Sequence, residues 1–207
     1  MKKILIAAIA LFIGSGAFAQ DVRVGIKAGA NLSTVTNTDY PAKMKFGFHV
    51  GGFLDFKFNE RFSLQPELLY SAQGVNVEFT TVEYDDNDNG HNVNIFSSTS
   101  FDYVNVPVLL KINITEGFSA EIGPQIGFLI GATQKGKKDG VLVHSESLKK
   151  YCNTIDITAL AGLSYTFAKN FVVSARYGLG LTKIYKEDDG ADNVKNSVIQ
   201  LSVGYKF

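Results

Sequence analysis

The 207-residue chain balances 20 basic against 20 acidic residues, so no charge excess points to nucleic acid or an anionic surface as partner. Its single cysteine, Cys152, excludes a disulfide framework. Beyond the first 19 residues no apolar run approaches the ~20 residues of a membrane-spanning helix, and 20 glycines without proline-rich tracts favour β structure over disorder.

The chain starts with the cationic Met1-Lys2-Lys3, an apolar core from Ile4 to Ile13 and the A-x-A pattern Ala17-Phe18-Ala19. These are the parts of a secretory signal peptide. Residues 1–19 are expected to be removed between Ala19 and Gln20, leaving one domain, 20–207, of 188 residues with 18 basic and 20 acidic side chains.

Period-two alternation, the mark of a half-buried strand, then recurs eight times. The predicted strands are 22–32, 45–58, 61–73, 101–113, 118–131, 155–167, 171–182 and 197–207. In the first, Val22, Val24, Ile26 and Leu32 oppose Arg23, Lys27 and Asn31. The second sets Phe46, Phe48, Val50, Leu54, Phe56 and Phe58 against His49, Asp55 and Lys57, and the third sets Leu64, Leu68 and Tyr70 against Gln65, Glu67, Ser71 and Gln73. The fourth and fifth oppose valines and isoleucines to Asn105, Lys111, Glu121 and Gln125. The sixth to eighth repeat the theme, with Asp156, Thr158, Arg176 and Lys206 on the polar side.

Connections at 59–60, 114–117 and 168–170 are tight, whereas 33–44, 74–100, 132–154 and 183–196 are long and polar. Strict alternation of short and long is the habit of outer-membrane barrels, whose short turns face the periplasm. The apolar face also gathers aromatics beside every tight turn: Phe56, Phe58, Phe62, Phe118, Tyr165, Phe167, Phe171, Tyr205 and Phe207. A sparser set, Phe46, Phe48, Tyr70 and Phe128, lies toward the long connections. Two rings on an outward face fit the two interfaces of a bilayer. The fold expected is therefore all-β: an eight-stranded antiparallel up-and-down transmembrane barrel. Tyr205 and Phe207, closing the last alternating strand, read as the signal offered to the barrel-assembly machinery.

The polar face then lines the lumen. Unpaired charges there would be intolerable, so an interior polar network of Lys27, Glu67, Lys111, Glu121, Asp156 and Arg176 is expected to fill it. Eight strands enclose room for side chains or one small ligand. The inward glycines (Gly25, Gly29, Gly47, Gly51, Gly123, Gly127, Gly178, Gly180) are read as relief of crowding rather than a ligand cavity. Pro66, Pro107 and Pro124 fall within strands of a sheet without edges, so each is expected at a bulge or a break in pairing.

The contexts of these prolines, Leu64-Gln65-Pro66-Glu67-Leu68-Leu69-Tyr70-Ser71, Val104-Asn105-Val106-Pro107-Val108-Leu109-Leu110-Lys111 and Gly123-Pro124, resemble the PorT-like outer-membrane β-barrel domain proteins of one clade of Gram-negative bacteria. Val24 to Leu32 and Arg176 to Thr182 are similar to that family's first and seventh strands. The resemblance implies fold and localisation across the mature chain. It carries no catalytic motif, and its eponymous member implies a link to protein secretion.

Other constellations are weak. Asp85-Asp86-Asn87-Asp88-Asn89-Gly90 fits the first half of a calcium loop, but Phe96 stands where the bidentate glutamate belongs. It reads as a solvated acidic tip, as does Glu187 to Gly190. No cofactor or metal site is expected. Of the three histidines, His91 and His144 lie in long connections; His49 faces inward, where Ser71 and Gln73 could approach it. The expected function is non-enzymatic: a barrel with a filled interior, chain termini in the periplasm, and long loops, above all 74–100 and 132–154, displayed for surface contacts. Its partners would be outer-membrane lipids, lipopolysaccharide and envelope proteins. The alternatives are an accessory of an envelope transport or secretion complex and a lipid-modifying enzyme.

Overall fold

The computed structural model describes residues 21–37, 41–84, 90–138, 141–186 and 193–207. Nine strands form: β1 (Asp21–Thr36), β2 (Ala42–Lys57), β3 (Phe62–Tyr84), β4 (Gly90–Asn113), β5 (Phe118–Lys138), β6 (Val141–Ser147), β7 (Ile155–Phe167), β8 (Phe171–Gly180) and β9 (Lys195–Lys206). All pairings are antiparallel and join chain neighbours except for β5 with β7 and the return of β1 to β9, Gly25 opposite Lys206 and Thr36 opposite Lys195. With β4 on β5 and β5 on β7, eight strands close into a ring that omits β6.

The ninth strand departs from the sequence expectation, and so do several strand lengths. The expected loop at 74–100 is a hairpin in which β3 and β4 continue paired from Gly74–Ser100 out to Tyr84–Gly90. β5 likewise runs past Gly131 to Lys138 and pairs there with β6. Val75, Val77 and Phe79 do alternate, and Thr80 to Val82 are β-branched. Beyond the belt, however, both faces meet water, so the apolar period weakens while strand propensity persists.

Alternation sets which side chain meets which medium. Phe46 (71% exposed), Ile122, Ile157, Leu201 and Val203 point outward and Lys27, Glu67, Lys111 and Arg176 inward, so the greasy surface is external and the charged one internal. Phe56 differs from expectation: it shares the outward row of Val22 and Leu64, yet is only 8% exposed. At the short-turn end Phe167 stacks on Phe171 at 5.5 Å, Phe171 meets Tyr205 at 5.1 Å and Tyr205 meets Phe207 at 5.2 Å. At the other end Phe48 and Tyr70 lie 5.5 Å apart.

The turns explain themselves locally. Asn59 Oδ1 accepts from the backbone N–H groups of Arg61 and Phe62, both at 2.8 Å, closing the β2–β3 turn. Ala168 (φ 47°) and Lys169 (φ 67°) both adopt left-handed conformations, which let the three-residue loop 168–170 reverse the chain between Phe167 and Phe171. The three strand prolines interrupt ladders without shifting register. Pairing of β2 with β3 lapses between Phe53–Glu67 and Phe56–Leu64, where Pro66 sits. The β3–β4 ladder lapses beside Pro107, and the β4–β5 ladder beside Pro124. Within the ring, register shifts fall elsewhere, between Met44 and His49 and between Asp102 and Tyr103.

Candidate functional site

The lumen is built in layers, and alternation from five different strands delivers its charges to the centre. Arg176 of β8 stands there: its Nε donates to Glu121 Oε2 at 2.6 Å, and Nη1 and Nη2 donate to the two carboxylate oxygens of Glu67 at 2.9 and 2.8 Å. This fork-to-fork geometry is what a guanidinium does best. Lys27 Nζ approaches Glu67 at 3.4 Å and Lys111 Nζ approaches Glu121 at 3.3 Å. Gln65 ties the set together, donating to Glu67 at 2.6 Å and accepting from Lys111 at 3.1 Å. Three cations thus share two carboxylates with almost no solvent contact, and Coulombic attraction at low dielectric offsets their desolvation only because each carboxylate faces two cations. The remaining cavity beside Lys27, Gln65, Arg176 and Ser202 is about 10 Å³, room for roughly one water.

Asp156 does not join these five. It lies at the long-loop end of β7, where its carboxylate accepts from Thr158 Oγ1 at 2.9 Å and Thr182 Oγ1 at 3.1 Å. Two residues not in the expected network take part instead: Gln65, and Lys206, which bonds Asp55 at 2.7 Å nearer the short turns.

One layer from the arginine toward the long loops, His49 is fully enclosed. Its Nδ1 lies 2.7 Å from Asn31 Oδ1 and its Nε2 2.7 Å from Ser202 Oγ. Ser71 faces His49 across the β2–β3 ladder but bonds Asn31 Nδ2 instead, at 3.0 Å. Serine, imidazole and amide in series are the parts of a nucleophile–base–orienter chain at the right spacing. A substrate carbonyl must also reach Ser202 Oγ; on the luminal side the space there is the 10 Å³ already described, while the groove of about 470 Å³ that also touches Ser202 is lined by outward residues such as Leu163, Val173, Leu201 and Val203. Sequence reading missed Ser202 and Asn31 because they lie 153 and 18 residues from His49 and only barrel closure brings β9 and β1 beside β2.

Over this, an apolar cap forms at the long-loop end from Phe101, Tyr103, Leu129, Ala132, Cys152, Ile184 and Val194. Segment 148–154 is stitched to segment 183–186: Asn153 N donates to Ile184 O at 2.8 Å, Asn153 Nδ2 to Lys183 O and Tyr185 O at 3.0 and 3.1 Å, and Lys186 N to Tyr151 O at 3.0 Å. Cys152, the single cysteine, is a buried member of this cap. Burial pushes the Tyr185 phenol up to about 12, with Cys152 adding to the effect.

The inward glycines let strands and side chains approach closely. A Cβ on Gly123 would stand 2.0 Å from Val108 O, and one on Gly29 would strike Leu201 O at 2.0 Å and the His49 ring at 2.6 Å. Of the loop candidates, His144 pairs with Glu146 at 3.2 Å on the surface. Asp85 to Asn89 and Glu187 to Gly190 fall outside the described residues, as do residues 1–20. Among the described residues no group of three His, Cys, Asp or Glu side chains is placed to hold a metal.

A family model described as outer membrane protein beta-barrel domain matches residues 18–186. Among solved structures, Ail, the attachment invasion locus protein of Yersinia pestis, is 19% identical with a TM-score of 0.48, covering 91% of this chain and 100% of that one. Neisserial surface protein A is 12% identical with a TM-score of 0.49, covering 91% and 100%. OprG from Pseudomonas aeruginosa is 11% identical with a TM-score of 0.41, covering 91% and 97%. A comparison with curated proteins gives no match.

Proposed function

Because this chain belongs to the outer membrane protein beta-barrel domain family, we propose that it acts as a non-enzymatic integral barrel, closed to solutes, whose long-loop end displays a rigid β-sheet for contacts at the cell surface. The observation that carries this reading is the doubly blocked lumen, with the Arg176 ion network in the middle and the apolar cap above it. A ring of strands satisfies every ladder group in lipid, while recognition is left to the protruding hairpins. In this reading residues 1–19 are removed after Ala19, Tyr205 and Phe207 are read by the assembly machinery, and both termini of the domain lie in the periplasm. The long hairpins then meet lipopolysaccharide or envelope partners, including a secretion complex of the PorT type. The test is ion conductance of the purified barrel in planar bilayers. Silence at all voltages is expected, and stable open-channel steps would overturn the closed-lumen reading.

A second reading rests on the Ser202–His49–Asn31 chain and makes the protein a lipid-modifying hydrolase. Labelling of Ser202 by a fluorophosphonate probe, lost in His49→Ala, would favour it. An unlabelled protein and unchanged envelope lipids in the same variant would dismiss it.

A further inference from the structure

The lumen is not blocked symmetrically. Below the ion network it opens into a recess of about 1060 Å³ at the short-turn end, at the upper limit of small-molecule pockets and far too roomy for a single inorganic anion. Its lining carries six cationic side chains, Arg23, Lys57, Arg61, Lys111, Lys169 and Lys206, against only three anionic ones, Asp55, Glu60 and Glu116. The two deepest lysines are already engaged, Lys206 by Asp55 and Lys111 by Gln65 and Glu121. Among the described residues Lys57, Arg61 and Lys169 have no ion-pair partner. They come from three separate places on the rim: the end of β2, the β2–β3 turn and the β7–β8 turn.

We propose that this recess is a binding site for an acidic peptide segment of a partner protein, which enters from the short-turn end and stops at the ion network. The chemistry favours a peptide over a phosphate for two reasons. Spread-out cations suit a ligand whose negative charges are themselves spread along a chain, whereas one phosphate needs donors that converge. The recess also presents acceptors in the exposed carboxylates of Glu60 and Glu116. Those carboxylates repel a phosphate dianion, which has at most one P–OH to offer them, while a peptide brings a row of backbone N–H donors with its carboxylates. Low-dielectric walls focus the field of the cationic rim into the mouth.

The proposal takes the depth of the recess from the closed lumen proposed above, but needs no particular orientation in the membrane. It is tested on the full barrel in zwitterionic detergent micelles, with fluorescent hexaglutamate as the probe and anisotropy as the readout. Saturable binding is expected that weakens as salt rises past about 0.1 M. The variant Lys57→Glu, Arg61→Glu, Lys169→Glu should bind about tenfold or more weakly, and it should gain affinity for hexalysine. The matched reversal at the opposite end, Lys135→Glu, Lys137→Glu, Lys149→Glu, should leave hexaglutamate binding unchanged. All six positions are exposed and loop-proximal, so both variants should fold. Equal binding by the two variants, absence of saturable binding, or displacement by equimolar inorganic phosphate each overturns the proposal. A barrel that binds hexaglutamate yet conducts ions would refute the closed lumen and leave the recess standing.

Discussion

Replacing Glu67 by glutamine should be the most damaging single change in the lumen. The carboxylate accepts from Arg176 Nη1 and Nη2 at 2.9 and 2.8 Å, from Gln65 Nε2 at 2.6 Å, and faces Lys27 Nζ at 3.4 Å. Neutralising it leaves Lys27, Lys111 and Arg176 sharing Glu121 alone, so the uncompensated buried positive charge rises from one to two. Breaking a buried pair from one side costs about 3–5 kcal/mol, because the stranded charge remains desolvated. The loss is not a sum of bond energies, so a double-mutant cycle is the measurement to make. Lys27 has Glu67 as its nearest carboxylate, and Glu67→Gln combined with Lys27→Met should recover about 1–3 kcal/mol of the deficit. The assay is guanidinium unfolding in lipid vesicles, read by the different electrophoretic mobilities of folded and unfolded barrel, since the chain has no tryptophan to report fluorescence. If Glu67→Gln falls within about 0.5 kcal/mol of the parent, or the two changes simply add, the network is not the electrostatic unit described.

Three further outcomes follow from the layers. Leu201→Arg, at the centre of β9 on the lipid face, should cost about 2–4 kcal/mol in the same vesicle assay, whereas Val82→Arg on the protruding hairpin should cost under about 0.5 kcal/mol. Gly123→Ala should destabilise by about 1–3 kcal/mol, because its Cβ would sit 2.0 Å from Val108 O and the two strands would have to part. The Tyr185 phenol ionises near 10.0 when unfolded and near 12 in the cap. Its contribution is therefore complete below pH 10 and lost as pH rises from 10 to 12, since the unfolded chain releases its proton first. Cap opening, followed by maleimide capture of Cys152, should accelerate over that window, and Tyr185→Phe should flatten the rise.

The ring of eight strands was legible because lipid outside and charge inside force a strict two-residue period, and because three tight turns alternate with long connections. Strand 155–167 was read to the residue, with its C-terminal end fixed by the tight 168–170 turn. The protruding parts of β3 to β5 and all of β6 were not legible, because strands wet on both faces lose the period that announces them. Lys27, Glu67, Lys111, Glu121 and Arg176 could be assigned to one face, but their partners could not, as a face is a local property and a contact is a property of closure. Asp156 shows the limit: parity placed it inward correctly, while its height along the barrel separates it from every cation in the central set. The cap was hidden for a different reason. Phe101, Cys152, Ile184 and Val194 are scattered through segments dominated by polar residues, so no window of sequence displays the cluster they make.

Two barriers in series lead to a final expectation about permeation. In the closed-lumen proposal the Arg176 network blocks the path by charge and packing and the cap blocks it by excluding water from an apolar mouth, so current needs both to be open. Arg176→Ala removes the side chain that fills the centre, yet Phe101, Leu129, Ile184 and Val194 still seal the path above it. Phe101→Ala thins the cap, whose central ring is wholly buried, while the ion network below stays intact. Each single variant should therefore remain silent in a planar bilayer, and the pair together should conduct. The lumen at Arg176 carries a net positive charge before substitution and a balanced one after it, with Lys27 and Lys111 facing Glu67 and Glu121. The opened path should accordingly show little preference between small cations and anions. Conductance from Arg176→Ala alone would mean that the cap is permeable, and the lock would then be a single ionic one.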